Sequence, residues 1–153
     1  MRTVHDGSGT RLLLVKQSDE SSRVRDPETG EERYVPNDEL EFVDESPLET
    51  AARAVPNAAR TILTAVRDDR GLGLLFELDR RGAVAVRDLM SGYDLCESDL
   101  HGLLGEFRAA GLVEEATVAG ERGYRLTETA SAGLAHLRDE APESGDAPSE
   151  GED

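Results

Sequence analysis

Apolar positions change their spacing three times along the chain. Arg11-Leu-Leu-Leu-Val-Lys16 is an apolar run of strand length. Ser22-Arg-Val-Arg25 and Glu32-Arg-Tyr-Val35 flank Asp26-Pro-Glu-Thr-Gly30, whose Pro and Gly predict a hairpin turn. Glu39 to Val43 adds a final strand. Residues 1–47 thus read as a small antiparallel β unit. It is too small to enclose a ligand, and its apolar face needs cover from a second domain or a partner chain.

From residue 48 the spacing becomes helical. Ser46-Pro47-Leu48-Glu49 is a helix start, with Ser as cap and Pro in the first turn. Pro56 breaks the connector, and a fresh helix starts at Asn57 with Ala59, Ile62, Leu63 and Val66 on one face. Residues 48–70 form this connector. In 71–139, Leu72, Leu74, Leu75 and Leu78 predict a helix ending near Gly82, and Ala83-Val-Ala85 is an extended link. Val86 to Tyr93 is a second helix with Val86, Leu89 and Met90 inward; Asp94-Leu95 is a turn. A third helix runs from about Cys96 to Ala110, with Gly111 as C-cap. Leu112 to Val118 and Gly123 to Leu126 are strands around a tip at Ala119-Gly-Glu-Arg122. Thr127 to Arg138 resumes as helix, with Leu134 and Leu137 on one face. Residues 140–153 have no large apolar side chain and read as a disordered acidic tail. The fold class is α+β.

The third helix carries the candidate chemistry. Leu100, Leu103, Leu104 and Phe107 fall on one face, which leaves Ser98, Gly102, Gly105 and Ala109 facing outward. All four are small. Each mid-helix Gly costs about 0.5–1 kcal/mol relative to Ala, so Gly102 and Gly105 suit close approach by DNA or by another helix. His101 and Arg108 flank one side, Asp99 and Glu106 the other. Of the side chains that usually read bases, this face offers only Arg108. Candidate phosphate contacts are Arg87 at the start of the second helix, Arg122 at the hairpin tip and Arg125 on the strand after it.

Charge bears directly on that reading. The net charge is -16, with 17 basic and 33 acidic residues, and Lys16 is the only lysine. Residues 71–128 alone carry six basic and eleven acidic side chains. Lysine loss with acid excess resembles proteins of salt-accumulating archaea. At 1 M salt the Debye length is about 3 Å, so an acidic surface does not exclude DNA binding there. It removes long-range steering and leaves shape, short hydrogen bonds and bridging cations. The single Cys96 allows no internal disulfide; at a helix start it is either a small buried turn residue or a redox-sensitive thiol. His5, His101 and His136 lack metal-site spacing, so no metal, cofactor or catalytic site is expected. No apolar run spans a membrane, and no leader pattern opens the chain, so a cytoplasmic location is expected.

Leu95-Cys-Glu-Ser-Asp-Leu-His-Gly-Leu-Leu-Gly-Glu-Phe-Arg-Ala-Ala-Gly-Leu-Val113 and Gly123-Tyr-Arg-Leu-Thr-Glu128 resemble the winged helix-turn-helix proteins of haloarchaea, over residues 71–138. The resemblance implies a transcriptional regulator that binds double-stranded DNA. In such proteins the positions of Ser98, Asp99, His101 and Gly102 face the groove, and the chain departs from the usual polar or basic residue at Gly102. A homodimer is expected, its two-fold contact made by the terminal helix, the connector helix or the β unit. The competing expectation is a protein-interaction module that packs a partner helix on Ser98, Gly102, Gly105 and Ala109.

Overall fold

Strand alternation sets the N-terminal architecture. β1 (Arg2–His5), β2 (Arg11–Lys16), β3 (Ser21–Arg25), β4 (Glu32–Pro36) and the two-residue β5 (Glu41–Phe42) pair antiparallel in the order β4-β3-β2-β1-β5. This is seen in a computed structural model that describes residues 1–139. The expected acidic tail lies outside the described residues. β1 was not expected, because Arg2-Thr-Val-His5 holds one strongly apolar side chain. β5 is shorter than the expected 39–43 strand, since Asn37–Glu39 forms a 3-10 turn instead.

One face of the sheet gathers Val4, Leu12, Leu14, Val24 and Val35, with Leu40 packed against them. The other face carries Thr3 and Leu13, and α1 (Pro47–Ala51) packs on β1 and β2 there. Ser46 and Glu49 close the expected α1 start as a capping box. Thr50 Oγ1 donates to Glu45 Oε2 at 2.7 Å, which leaves Thr3 Oγ1 to donate to Thr50 Oγ1 at 2.7 Å. This buried hydroxyl chain ties α1 to the sheet. The Thr50 hydroxyl, then Arg53, holds the Glu45 carboxyl below its usual range.

The sheet curls. Asp6 follows β1 and Arg33 lies in β4, with two strands between them. In a flat sheet that separation is about 14 Å. Yet Arg33 Nη2 donates to Asp6 Oδ2 at 2.9 Å. The register shift between Leu14 and Lys16 in β2 assists, because a bulge increases local twist. Curling draws the apolar face inward.

The chain divides into two compact units, Met1–Arg60 and Thr61–Asp153. The division falls inside α2 (Asn57–Ala65), the helix that restarts after Pro56. The second unit continues with α3 (Asp69–Arg81), β6 (Val84–Ala85), α4 (Val86–Gly92), α5 (Glu97–Ala109), β7 (Val113–Val118), β8 (Glu121–Leu126) and α6 (Glu128–Asp139). Three helices followed by an antiparallel hairpin, with β6 completing a β6-β8-β7 sheet, make a winged helix-turn-helix. Ile62, Leu75, Leu78, Leu89, Leu100, Leu104, Phe107, Leu112 and Leu134 are among its buried core side chains.

Local chemistry ends each element. The Asp68 side chain accepts from Gly71 N and caps α3. Asp94, at φ 52, makes the turn between α4 and α5, a left-handed conformation that Asp tolerates better than most residues. Gly111, at φ 76, ends α5; Leu112 N donates to Phe107 O and Gly111 N to Arg108 O, the Schellman pattern. The hairpin turns on Ala119 and Gly120 alone, at φ 49 and 80. Arg122, expected at the tip, lies instead in β8 opposite Thr117. A two-residue turn with both φ positive matches the twist of its strands, so pairing continues to residue 121.

Two outcomes are expected. A Cβ on Gly123 would sit 2.5 Å from Val84 O and 3.0 Å from Val118 Cγ2. Gly123→Ala should therefore cost about 1–3 kcal/mol, read as a lowered thermal midpoint. In the first unit, hydrogen bonds from Ser8, then Thr10 and Arg33, lower the Asp6 pKa from 3.8 to about 2. Its contribution is complete above about pH 4 and is lost as pH falls through about 2. Asp6→Asn should abolish that part of the acid limb in pH-dependent unfolding.

Candidate nucleic-acid interface

The orientation of α5 follows from its apolar residues. Leu100, Leu104 and Phe107 are buried, so Ser98, Gly102, Gly105 and Ala109 face outward, and all four are exposed. A Cβ on Gly102 or Gly105 would meet nothing within 4 Å. The outward stripe is therefore open along the helix.

The helix start is held from α3. Tyr93 Oη donates to Glu77 Oε2 at 2.5 Å and accepts from Arg81 Nη1 at 2.9 Å. The Tyr93 hydrogen bond, with nearby acidic groups, holds the Arg81 guanidinium above its usual pKa. Arg81 thus braces the turn leading into α5. Cys96 is the N-cap, makes no cap hydrogen bond and is exposed, which corrects the expectation of a small buried turn residue. Its Sγ lies 3.4 Å from Ser98 Oγ.

The two flanks of the stripe differ. On one side Asp99, Gly102, Leu103 and Glu106 border a shallow groove of about 280 Å³, whose other wall is Ala65, Arg67, Asp68 and Arg70. Arg67 Nη2 reaches Glu106 Oε1 at 3.3 Å across it. The segment after α2 therefore bounds the acidic edge of α5. On the other side Arg108 turns toward the wing, and His101 Nε2 lies 3.6 Å from Glu97 Oε1.

Every arginine expected to meet phosphate has a glutamate partner. Glu115 Oε1 accepts from Arg108 Nη1 at 3.2 Å and from Arg122 Nη2 at 2.6 Å. Arg122 Nη2 also donates to Tyr124 Oη at 2.9 Å. The Glu115 hydrogen bond leads the causes that raise the Arg122 pKa. Arg125 lies three residues beyond Arg122 on β8, so alternation places it on the opposite wing face, where its Nε donates to Glu114 Oε1 at 2.8 Å. Arg87 Nη2 reaches Glu121 Oε1 at 2.6 Å, on that same face of β8. The fold thus brings Arg108 and Arg122 together and separates Arg87 and Arg125 from them.

The sequence reading missed the partners Glu114, Glu115, Glu121 and Arg67. A signal for two of them was present: a turn confined to Ala119-Gly120 sets Glu114 opposite Arg125 and Glu115 diagonal to Arg122. A four-residue tip loses that register. Among the described residues no group of His, Cys, Asp and Glu could hold a metal, and no helix is long and apolar enough to cross a membrane.

A protein family described as a family of unknown function, DUF7346, matches residues 1–138. No curated protein matches the chain. Two solved structures are similar in part. The transcriptional regulator HlyU from Vibrio vulnificus CMCP6 is 27% identical at a TM-score of 0.47, covering 60% of this chain and 91% of that one. HlyU from Vibrio cholerae N16961 is 24% identical at a TM-score of 0.47, covering 61% of this chain and 96% of that one.

The exposure of Cys96 generates a direct expectation. One equivalent of a maleimide should react with the folded protein without denaturant, read by intact mass. Protection until unfolding would contradict the exposed N-cap.

Proposed function

Since the chain belongs to DUF7346, a family of unknown function, its activity is read from its own geometry, and we propose that the winged-helix unit binds double-stranded DNA as part of a transcriptional regulator. The observation that carries this reading is the open small-residue stripe of α5 beside a wing. Nothing would obstruct a Cβ at Gly102 or Gly105, so a groove wall can approach the helix backbone closely. α5 enters the major groove with Ser98, Asp99, His101, Gly102 and Gly105 toward the bases. Arg108 and Arg122 meet the phosphate strand between helix and wing, and Arg87 and Arg125 meet flanking phosphates. With few base-reading side chains, recognition rests on shape, the Ser98 and His101 hydrogen bonds and main-chain contact.

The protein works in the cytoplasm of a halophilic archaeon. Its acid excess suits molar salt, where like-charge repulsion from DNA is screened within about 3 Å. It acts as a homodimer, and Leu63 on α2, 56% exposed, offers an apolar side chain for that contact.

A second reading has its own support. Because Arg87, Arg108, Arg122 and Arg125 are all paired with glutamates, the stripe would instead seat a partner helix in a larger assembly.

Binding to genomic DNA fragments in molar potassium chloride separates the two. The wild type should capture specific fragments, and Gly102→Glu should weaken capture by about tenfold or more, through carboxylate–phosphate repulsion at contact. Gly102→Ala should raise the thermal midpoint, since Ala favours the helix by about 0.5–1 kcal/mol, yet still weaken DNA capture. Absence of any capture by the wild type sinks the DNA reading. Loss of self-association or partner pull-down in Gly102→Glu, with DNA capture intact, selects the second.

A further inference from the structure

We propose that Glu115 is an internal phosphate substitute: its carboxylate occupies the place of a DNA phosphate between helix and wing, and DNA binds by displacing it. This rests on the DNA-binding reading above and specifies how that site is regulated.

The geometry singles out Glu115 among the acidic residues. A single oxygen, Oε1, accepts from Arg108 Nη1 on α5 at 3.2 Å and from Arg122 Nη2 on β8 at 2.6 Å. The two arginines come from the two elements that straddle a DNA strand when the helix lies in one groove and the wing in the next. Arginine is the side chain suited to phosphate, and here two guanidiniums converge on one anionic oxygen. Strand alternation puts Glu115, Thr117, Arg122 and Tyr124 on one face of the wing, the face toward which Arg108 reaches. The Tyr124 hydroxyl, 2.9 Å from Arg122 Nη2, steadies that guanidinium whether carboxylate or phosphate holds it. By contrast, Arg87–Glu121 and Arg125–Glu114 each join one arginine to one carboxylate.

The ionic consequence is distinctive. When an ordinary protein neutralises phosphates, DNA releases cations and affinity falls with salt. Here the incoming phosphate frees Glu115, and the freed carboxylate recruits a cation from solution. Release from DNA and uptake by Glu115 offset each other. Binding thus becomes less sensitive to salt, at the expense of affinity in dilute salt.

The test compares wild type, Glu115→Gln and Glu128→Gln on captured DNA fragments from 0.2 to 3 M potassium chloride. Glu128 is an exposed carboxylate on α6 and controls for the loss of one negative charge. Glu115→Gln should tighten binding about two- to fivefold at the low end, the scale of an exposed ion pair. It should also steepen the slope of log affinity against log salt by up to about 0.9, one phosphate's worth. Glu128→Gln should change the slope little. If wild type binds but Glu115→Gln binds equally or more weakly, or Glu128→Gln reproduces its effect, the substitute role of Glu115 is overturned while DNA binding stands. If none of the three proteins binds DNA, the DNA-binding reading itself fails, and this inference with it.

Discussion

Burial of Leu100, Leu104 and Phe107 on one face of α5 is the constraint on which the second unit depends. Each contributes roughly 1.5–3 kcal/mol relative to exposure, and together they leave the helix no freedom to rotate. Once that face is inward, helical spacing alone decides that Ser98, Gly102, Gly105 and Ala109 point out. It also decides that Arg108 faces the wing and that Glu106 faces the segment after α2. The Schellman close at Gly111 then turns the chain within one residue, so β7 starts beside the helix it follows. Placement of Glu115 between two arginines is a consequence of that short return.

The surface combines an acid excess with arginines that are each held by a glutamate. An unpaired arginine beside many carboxylates would find a partner anyway. The protein fixes which one: a specific glutamate, opposite or diagonal on the wing. Exposed pairs of this kind contribute about 0.2–1 kcal/mol each and add little to stability. Their importance is geometric. They hold guanidiniums extended and oriented by direct contact, at separations comparable to the Debye length even of 1 M salt.

Much of the fold was legible because it rests on local rules. β2, the Ser46 cap, the break at Pro56, the three-helix series and Gly111 all follow from period, capping or backbone freedom. So did the outward face of α5. What escaped depends on pairing across distance. β1 has one strongly apolar side chain and exists because β2 and β5 flank it. The curl that brings Arg33 to Asp6 depends on twist accumulated over four strands. The pairing of Arg122 and Arg125 was missed because one misplaced turn boundary, at Ala119-Gly120, erased the register of the wing; that of Arg87 with Glu121 joins α4 to β8 and has no local signal. The arginines themselves were visible; their glutamates were hidden in an acidic composition that makes each carboxylate look interchangeable.

The curled first sheet has a further consequence, for solubility. An open sheet offers unpaired backbone groups at its edges, and proteins often guard such edges with charge. Salt screens such a charge guard, whereas shape does not depend on ionic strength. One edge, β5, is two residues long, and the other, β4, ends on Pro36, which has no N–H to donate. The bulge in β2 and the Asp6–Arg33 contact bend the ribbon away from the flatness that edge-to-edge stacking needs. The geometry of both edges therefore works against edge-to-edge pairing at any ionic strength.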